Sequence, residues 1–231
     1  MSQKMDIFGR VLYDYWKKGD KSSKLYFIEN KNKQYPVQIS RYFRNYEQFT
    51  SLEKKGINFS RGKILDVGCA TGYHGPALMK LGEVDAIDIS EYAIKVAKEN
   101  GIDNCFVCDI FKYKPCKKYD TITLFENNIG LAGTVSKTKR LLKRLVKLLK
   151  EDGQIICEIV RTRTVDTWIV LLTPQWNGKR GKSFNWLHFS INFLSRLGDK
   201  FGLDLEVLDE KEISGNIWSL IRFFKGKNTV F

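Results

Sequence analysis

The sequence has few of the residues that mark metal centres, secreted proteins and membrane spans. Only two of its 231 residues are histidines, His74 and His188, and neither has further ligands at usable spacing, so we expect no metal site. The five cysteines form an odd set, which is typical of reduced thiols and not of a disulfide framework. No run of about 18 apolar residues is present and no signal peptide opens the sequence, so we expect a cytoplasmic protein without a membrane partner.

Two of the cysteines, Cys105 and Cys108, form a C-x-x-C pair. Such a pair can indicate a metal site or redox chemistry, but this one falls inside a predicted strand. Cys116 supplies a third thiol, and no clear fourth ligand lies nearby. The sequence therefore favours small apolar packing residues at these positions.

The stretch from Lys63 to Leu78 is predicted to run from a buried strand through a loop of small residues into a helix. Its first part, Ile64-Leu-Asp-Val67, is the short apolar run that a strand buried on both faces requires. Gly68, Ala70 and Gly72 follow, and they let the backbone turn tightly and approach a ligand. A turn of this type also occurs in dinucleotide-binding oxidoreductases, so by itself it is a weak signal. Asp66 makes it more specific, because a carboxylate at the strand end suits a cationic ligand better than a pyrophosphate.

Three further predicted strands also end in polar residues. The strand beginning at Val84 ends in Asp88, whose spacing from the glycines suits a carboxylate that binds a ribose diol. The next ends in Asp109, and the strand from Tyr119 to Phe125 leads into Glu126-Asn-Asn128. Because open α/β sheets bind ligands at the carboxyl ends of their strands, these groups should share one site.

Here the sequence resembles the class I S-adenosylmethionine-dependent methyltransferases. Asp66-Val-Gly-Cys-Ala-Thr-Gly72 is similar to the first motif of that family, with Ala70 in place of its middle glycine. The resemblance implies S-adenosyl-L-methionine as cofactor, with Asp88 on the ribose and Asp109 on the adenine amino group. The residues expected to bind it are Asp66, Gly68, Cys69, Ala70, Gly72, Asp88, Ile89, Asp109, Ile110, Phe125, Glu126 and Asn127, together with Arg44 on the methionine carboxylate.

The family fold is an α/β Rossmann-like sheet of seven strands, mostly parallel, with a terminal antiparallel hairpin and helices on both faces. We expect residues 61–231 to form this domain and residues 1–60 to form an N-terminal cap or lid. Within the cap, Leu25–Glu29 and Tyr35–Ile39 are predicted to form a hairpin and Arg41–Lys55 a single helix. Residues 161–187 show no clean period and are predicted to form a long irregular connection that builds one wall of the substrate pocket.

The formal net charge of +13 is unevenly distributed. Residues 61–130 are close to neutral, whereas Lys137–Lys150 has seven cations and no acid. Its leucines lie on one side at helical spacing, and such a basic amphipathic helix can bind membranes or nucleic acid. In this fold it is the crossover between two strands, so we expect its leucines to pack on the sheet and its lysines to face water.

The acceptor site is predicted from Phe125–Asn128, which is similar to the fourth motif of that family, and from aromatic residues in the cap and in residues 161–187. Tyr15, Trp16, Asn128, Trp176 and Trp186 are the expected substrate-binding residues. Enzymes of this family that methylate nucleobase amines or the glutamine amide have prolines in the fourth motif. The prolines are missing here, which argues against that class and leaves oxygen, carbon and other nitrogen acceptors open.

Glu126, Asn127 and His188 are the candidate catalytic residues, with His188 as the candidate base and His74 expected to cap or line the cofactor end. We expect a methyltransferase acting on a small molecule, as a monomer or homodimer. A nucleic-acid methyltransferase, favoured by the net charge, and a cofactor-binding partner without catalysis remain the alternatives, beside protein acceptors.

Overall fold

The structure, a computed structural model, describes residues 6–19 and 24–226 and contains two β-sheets. The larger sheet has seven strands, which in spatial order are β11 (Leu203–Ile213), β12 (Asn216–Lys225), β7 (Leu149–Val160), β6 (Tyr119–Leu124), β3 (Gly62–Val67), β4 (Gly82–Asp88) and β5 (Cys105–Val107). The five strands from β7 to β5 are parallel, and β12 and β11 add an antiparallel hairpin. The predicted fold class is confirmed.

Helices cover both faces of this sheet. They are α1 (Ile7–Lys18), α2 (Ser51–Phe59), α3 (Gly75–Leu78), α4 (Glu91–Glu99), α5 (Val135–Leu148) and α6 (Ile191–Asp199). Successive side chains of a strand point to opposite faces. Accordingly, Leu65 of β3 packs in the cluster that includes α5 and α6, whereas Ile64 packs with residues of α2 and α3. None of the helices within the described ranges is long and apolar enough to cross a bilayer.

The basic helix α5 lies where the sequence places it, between β6 and β7. Thr134 caps its first turn, and its apolar stripe is buried in the core at Leu141, Leu142, Leu145 and Leu148. Most of its lysines and arginines are exposed. The expectation that the leucines pack on the sheet and the cations face water is confirmed.

The expected irregular connection at residues 161–187 is wrong, because this segment forms most of the second sheet. The strands β8 (Thr167–Trp176), β9 (Lys179–Arg180) and β10 (Phe184–Phe189) pair with the hairpin β1 (Leu25–Glu29) and β2 (Lys33–Val37) of the cap. β8 lies between β10 and β1 and is antiparallel to both. A strand whose partner is far away in the sequence gives no local pairing signal, which is why the sequence pattern looked irregular.

The single helix predicted over Arg41–Lys55 is also wrong. The segment forms two short 3₁₀ turns, Ile39–Phe43 and Tyr46–Gln48, before α2 begins at Ser51. Thr50 caps α2, since its hydroxyl accepts the N–H of Glu53 while the Glu53 carboxylate accepts the N–H of Thr50. The capping box formed by Thr50 and Glu53 therefore starts the helix at Ser51, which is later than the spacing of the aromatic residues suggests.

Candidate active site

The loop after β3, residues 68–72, is the glycine loop of the site. The backbone N–H groups of Gly68 and Cys69 both donate to the carbonyl of Ile87, at 2.8 and 3.2 Å, so the loop is fastened to the end of β4. Gly68, Ala70 and Gly72 all have positive φ, at 76°, 49° and 70°. Ala70 therefore adopts the left-handed conformation that glycine would adopt more readily.

The glycines at the two ends of this loop have positive φ and also lie close to neighbouring side chains. A Cβ on Gly68 would lie 2.6 Å from the amide nitrogen of Asn128, and a Cβ on Gly72 would lie 3.0 Å from the methyl of Ala97. The Asn128 amide donates to the carbonyls of Val67 and Gly68, at 3.2 and 3.0 Å. Asn128 thus buttresses the glycine loop, and its predicted contact with substrate stays a prediction.

Asp88, at the end of β4, faces the glycine loop. Its carboxylate accepts the N–H of Ala70 at 3.0 Å on one oxygen and the N–H of Ser90 at 2.8 Å on the other. Burial raises the pKa of Asp88 to about 6, although these two hydrogen bonds oppose the rise. Each oxygen keeps acceptor capacity for a diol. The next side chain, Ile89, is 78 % exposed, so an apolar surface for a ring lies beside the carboxylate. A ribose with an attached base fits this pair.

Two further predicted cofactor-binding acids are held by the protein itself. Asp66 is buried, accepts the hydroxyl of Thr123 at 2.8 Å, and has its pKa raised by burial. Asp109 accepts the N–H of Phe111 at 2.9 Å, which shapes the turn after β5, and Ile110 packs against the core. These contacts position the side chains at the expected sheet edge, and their roles toward a cofactor stay predictions.

The buried Phe125 ring packs against His74, with ring centroids 4.5 Å apart, in a core cluster that includes Tyr73 and Ala77. Cys69 is buried as well, which raises the pKa of its thiol, and its backbone N–H and carbonyl are hydrogen-bonded to Ile87 and Gly72. His74 precedes α3 as its N-cap residue and makes no capping hydrogen bond through its side chain. The ring instead points toward the cap segment.

The fourth motif forms a strained turn. Glu126 and Asn127 both have positive φ, at 53° and 58°, and such strain in non-glycine residues clusters at functional sites. The N–H of Glu126 donates to the Glu158 carboxylate at 3.1 Å. The Asn127 amide nitrogen lies 3.5 Å from Nδ1 of His188, which is itself 3.3 Å from the carbonyl of Val160. The fold thus brings the three candidate catalytic residues to one corner of the sheet edge, where burial lowers the pKa of His188.

Arginines of the cap clamp the fourth motif through ion pairs. Nη2 of Arg41 donates to both carboxylate oxygens of Glu126, at 2.7 and 2.8 Å. Arg44 binds both oxygens of Glu53, at 2.7 and 3.1 Å, and reaches Glu126 at 3.3 Å. Nε2 of His74 donates to Glu53 at 2.9 Å. Arg44, predicted to bind the cofactor carboxylate, is therefore engaged by two protein carboxylates in this structure.

These side chains border a cavity of about 380 Å³, which we call the cap pocket. The 3₁₀ turns of the cap form one wall, the ends of β6 and β7 form the floor, and the β11–β12 hairpin closes the far side. Its principal lining residues are Arg41, Arg44, Glu126, Glu158, Ile213 and Trp218.

Two carboxylates of this cluster have opposite electrostatic environments. Burial alone would raise the pKa of Glu53, but the hydrogen bond from His74 and the charge of Arg44 help to hold it at about 2. Burial raises the pKa of Glu158 to about 8, and the negative charge of Glu126 contributes. Glu53 is thus a stable anion, whereas Glu158 exchanges its proton near neutral pH.

The aromatic residues predicted to bind substrate lie outside the lining of the cap pocket: Tyr15, Trp16, Trp176 and Trp186. Tyr15 stacks on Phe43 with ring centroids 4.9 Å apart, and Trp186 lies so close to Gly130 that a Cβ there would meet its indole at 2.7 Å. Their predicted contact with an acceptor stays untested.

Sequence reasoning missed four residues of the site, Glu53, Glu158, Ile213 and Trp218. Two of them carry signals that were available. Thr50-x-x-Glu53 is a capping-box pattern, and Glu158 is the one charged residue in the apolar run Ile155-Ile-Cys-Glu-Ile-Val160. Trp218 lies in a strand of mixed polarity and has no comparable signal.

Comparisons with known proteins agree with this geometry. Residues 58–179 match a family model described as a methyltransferase domain. Two curated relatives from Acetivibrio thermocellus are a malonyl-[acyl-carrier protein] O-methyltransferase and a ribosomal protein L11 methyltransferase. The first is 33% identical over 138 residues, which cover 51% of this chain and 46% of the relative. The second is 55% identical over 118 residues, which cover 44% and 33%. The chain thus spans less than half the length of these relatives.

Solved structures show the same fold. An S-adenosylmethionine-dependent methyltransferase from Bacteroides fragilis, solved with S-adenosyl-L-homocysteine, has a TM-score of 0.86 at 23% identity, covering 98% of this chain and 97% of that one. A second such enzyme, from Clostridium acetobutylicum, has a TM-score of 0.60 at 14% identity, covering 95% and 98%.

Proposed function

We propose that this chain, which belongs to the methyltransferase domain family, is an enzyme that uses S-adenosylmethionine and methylates a small molecule bound in the cap pocket. The observation that carries this proposal is the position of Glu126. It directly follows Phe125 of the predicted cofactor site and also lines the cap pocket. An acceptor in that pocket would therefore lie next to the cofactor.

The size of the pocket supports a small acceptor. About 380 Å³ lies at the lower end of the range for ligand pockets in proteins. Charged groups line it on two sides, so an acceptor with polar substituents fits better than an aliphatic chain. Arg41 and Glu126 would fix its orientation, and Trp218 would exclude water from the far side.

The predicted cofactor contacts complete the proposal. When bound, S-adenosylmethionine supplies an electrophilic methyl group. Asp88 would bind the ribose hydroxyls, Asp109 the adenine amino group, and Asp66 the methionine amino group, directly or through water. His188 is a candidate base for a phenol or carboxylic acceptor.

A nucleic-acid acceptor is the second candidate, and the exposed cations of α5 favour it. Lys137–Lys150 carries seven positive charges without an acid, which is enough for a polyanion to bind. A rate of RNA methylation that falls steeply as salt is added would support a nucleic-acid acceptor over a small-molecule acceptor.

The cofactor site is tested by calorimetric titration with S-adenosylmethionine and S-adenosylhomocysteine. We expect Asp88→Ala to weaken both affinities about 100-fold, because hydrogen bonds to a charged carboxylate contribute about 1.5–3 kcal/mol each. The exposed Asp103→Ala is the control and should leave affinity unchanged. Binding of NAD in place of S-adenosylmethionine by the native protein would contradict the assignment. After confirmed binding, a screen of small acceptors and of RNA with labelled cofactor separates the two candidate functions.

A further inference from the structure

Glu158 is a buried acid in the part of β7, residues 153–159, that lies in the core. The residues on both sides of it, Cys157 and Ile159, are fully buried, and Leu220 of β12 lies opposite it in the sheet. Its own side chain lines the cap pocket while the residue is only 3 % exposed. A carboxyl group in such a position costs folding free energy unless it is neutral or has a partner.

The cations nearby are already engaged by other acids. Arg41 binds both oxygens of Glu126, and Arg44 binds both oxygens of Glu53. Glu158 accepts the backbone N–H of Glu126, an uncharged donor. When Glu158 ionises, it places a second negative charge beside Glu126, whose own partner is Arg41, so a positively charged ligand group would be stabilised between these two carboxylates.

We propose that the acceptor is a small primary or secondary amine, that its ammonium form binds between Glu126 and Glu158, and that Glu158 accepts the proton that the nitrogen must lose. This rests on the proposed function, because it assigns the acceptor class to the cap pocket. An ammonium group places a positive charge between Glu126 and Glu158 and offers hydrogen-bond donors to both carboxylates. An alcohol or a carboxylate offers no such compensation.

The proton balance of the reaction requires an acceptor of this kind. The nitrogen lone pair forms the new N–C bond as the C–S bond breaks, and the bonding pair leaves with the sulfur, which becomes neutral. An ammonium group has no lone pair, so one proton must leave before attack, and it passes to the Glu158 carboxylate. The neutral Glu158 then returns that proton to water when product leaves.

The groups that face Glu158 tune it for this exchange. Burial contributes most to raising its pKa to about 8, and the charges of Glu126 from the turn after β6 and Glu53 from α2 act in the same direction, whereas the N–H of Glu126 and Arg41 oppose the rise. A carboxyl group tuned upward by burial and neighbouring charges is a stronger base, and its pKa is closer to that of an aliphatic amine.

The test is calorimetric binding to the full chain saturated with S-adenosylhomocysteine at pH 7.5. The probes are matched pairs, cyclohexylamine with cyclohexanol and benzylamine with benzyl alcohol, each titrated in two buffers of different ionisation enthalpy. We expect each amine to bind at least tenfold more tightly than its alcohol. We also expect release of roughly 0.8 proton per amine, since Glu158 with a pKa of about 8 is mostly protonated at that pH.

Glu158→Gln should abolish the proton release and reduce the amine preference to less than twofold, whereas Glu83→Gln, an exposed acid, should change neither. Equal binding of amine and alcohol, or amine binding without proton release, would overturn the proposal. The native protein alone decides this, so a variant that fails to fold does not remove the test. Failure of S-adenosylhomocysteine to bind would instead reject the proposed function itself.

Discussion

The glycine loop and the cap pocket lie at the same edge of the large sheet but are held by different interactions. The glycine loop is fixed by its backbone N–H groups. One of them, the N–H of Ala70, donates to the carboxylate of Asp88, which is only 18 residues away in the sequence. The cap pocket is fixed by partly buried ion pairs between groups that are 82 and 85 residues apart. Local backbone geometry therefore sets the first region, and long-range electrostatics sets the second.

This difference has a thermodynamic consequence. The hydrogen bonds from Gly68 and Cys69 to the Ile87 carbonyl do not titrate, so the free energy that they contribute is largely independent of pH. Buried carboxylates contribute free energy that depends on protonation. The cap pocket, with several carboxylates, should thus respond to pH and to charge substitutions, whereas the glycine loop should depend on pH through Asp88 alone and respond mainly to added atoms.

The largest expected effect is the pH dependence that Glu158 imposes on stability. Its pKa is about 8 in the folded protein and 4.5 when unperturbed, so the folded state binds its proton more tightly. The stabilisation is fully present below pH 4.5 and is lost as the pH rises to about 8. Its upper limit is roughly 5 kcal/mol, at 1.36 kcal/mol per pKa unit.

Urea unfolding of the native protein and of Glu158→Gln at pH 5, 7 and 9 measures this contribution. The variant should become the more stable of the two as the pH rises, because its amide needs no proton. Glu83→Gln is the control and should follow the native curve. If the free energy of unfolding changed with pH in the same way for Glu158→Gln and the native protein, the Glu158 carboxyl would be solvated. The contrast between the cap pocket and the glycine loop would then be weaker.

The second effect comes from the arginines of the cap. The side chain of Arg44 is 15% exposed and pairs with Glu53, which is 1% exposed, whereas the side chain of Arg41 is 41% exposed. Removing one partner of a buried pair leaves an uncompensated charge and costs about 4 kcal/mol, but an exposed pair contributes about 1 kcal/mol or less.

Arg44→Met should therefore destabilise the protein far more than Arg41→Met. Unfolding in urea at pH 7 measures both, and equal costs would mean that the cap pocket is as hydrated as the surface. The Arg44→Met penalty should shrink as the pH falls below 4.5. The native Glu53 has its pKa lowered to about 2, so the stability from its charge is present above pH 4.5 and is lost toward pH 2.

The features that could be predicted from the sequence are those that depend on local structure, as the glycine loop does, and the features that could not are those that depend on long-range contacts, as the cap pocket does. The strands of the large sheet, the glycine loop and the positions of Asp66, Asp88 and Asp109 were predictable, because short apolar runs and turn residues act over a few positions. The ion pair between Arg41 and Glu126 was not, since it depends on how the cap folds over the sheet.

The second sheet shows the same limit. Leu25 pairs with Trp176, so β1 and β8 are about 150 residues apart in the chain. Within β8 the alternation of exposed and buried residues is imperfect, and Pro174 stands inside the strand. A proline usually argues against a strand, so the local pattern predicted a loop.

The smallest expected effect comes from replacing a glycine of the glycine loop. It distinguishes two reasons for glycine at position 68, the lack of space for a Cβ and the left-handed backbone conformation. Gly68 and Gly101 both have positive φ, at 76° and 85°, but a Cβ on Gly101 would meet nothing within 4 Å. Gly101→Ala should cost about 1 kcal/mol, the penalty for the left-handed conformation. Gly68→Ala should cost about 2 kcal/mol more, because Asn128 must move and lose two hydrogen bonds of about 1 kcal/mol each.

Unfolding in urea gives both costs, and titration with S-adenosylhomocysteine shows whether the loop keeps its shape. We expect weaker cofactor binding for Gly68→Ala and native affinity for Gly101→Ala. Equal costs would mean that Asn128 adjusts without loss, and then positive φ alone explains the glycine. A larger cost at Gly68 would show that contact with the fourth motif holds the glycine loop in place, which couples the cofactor side of the sheet edge to the acceptor side.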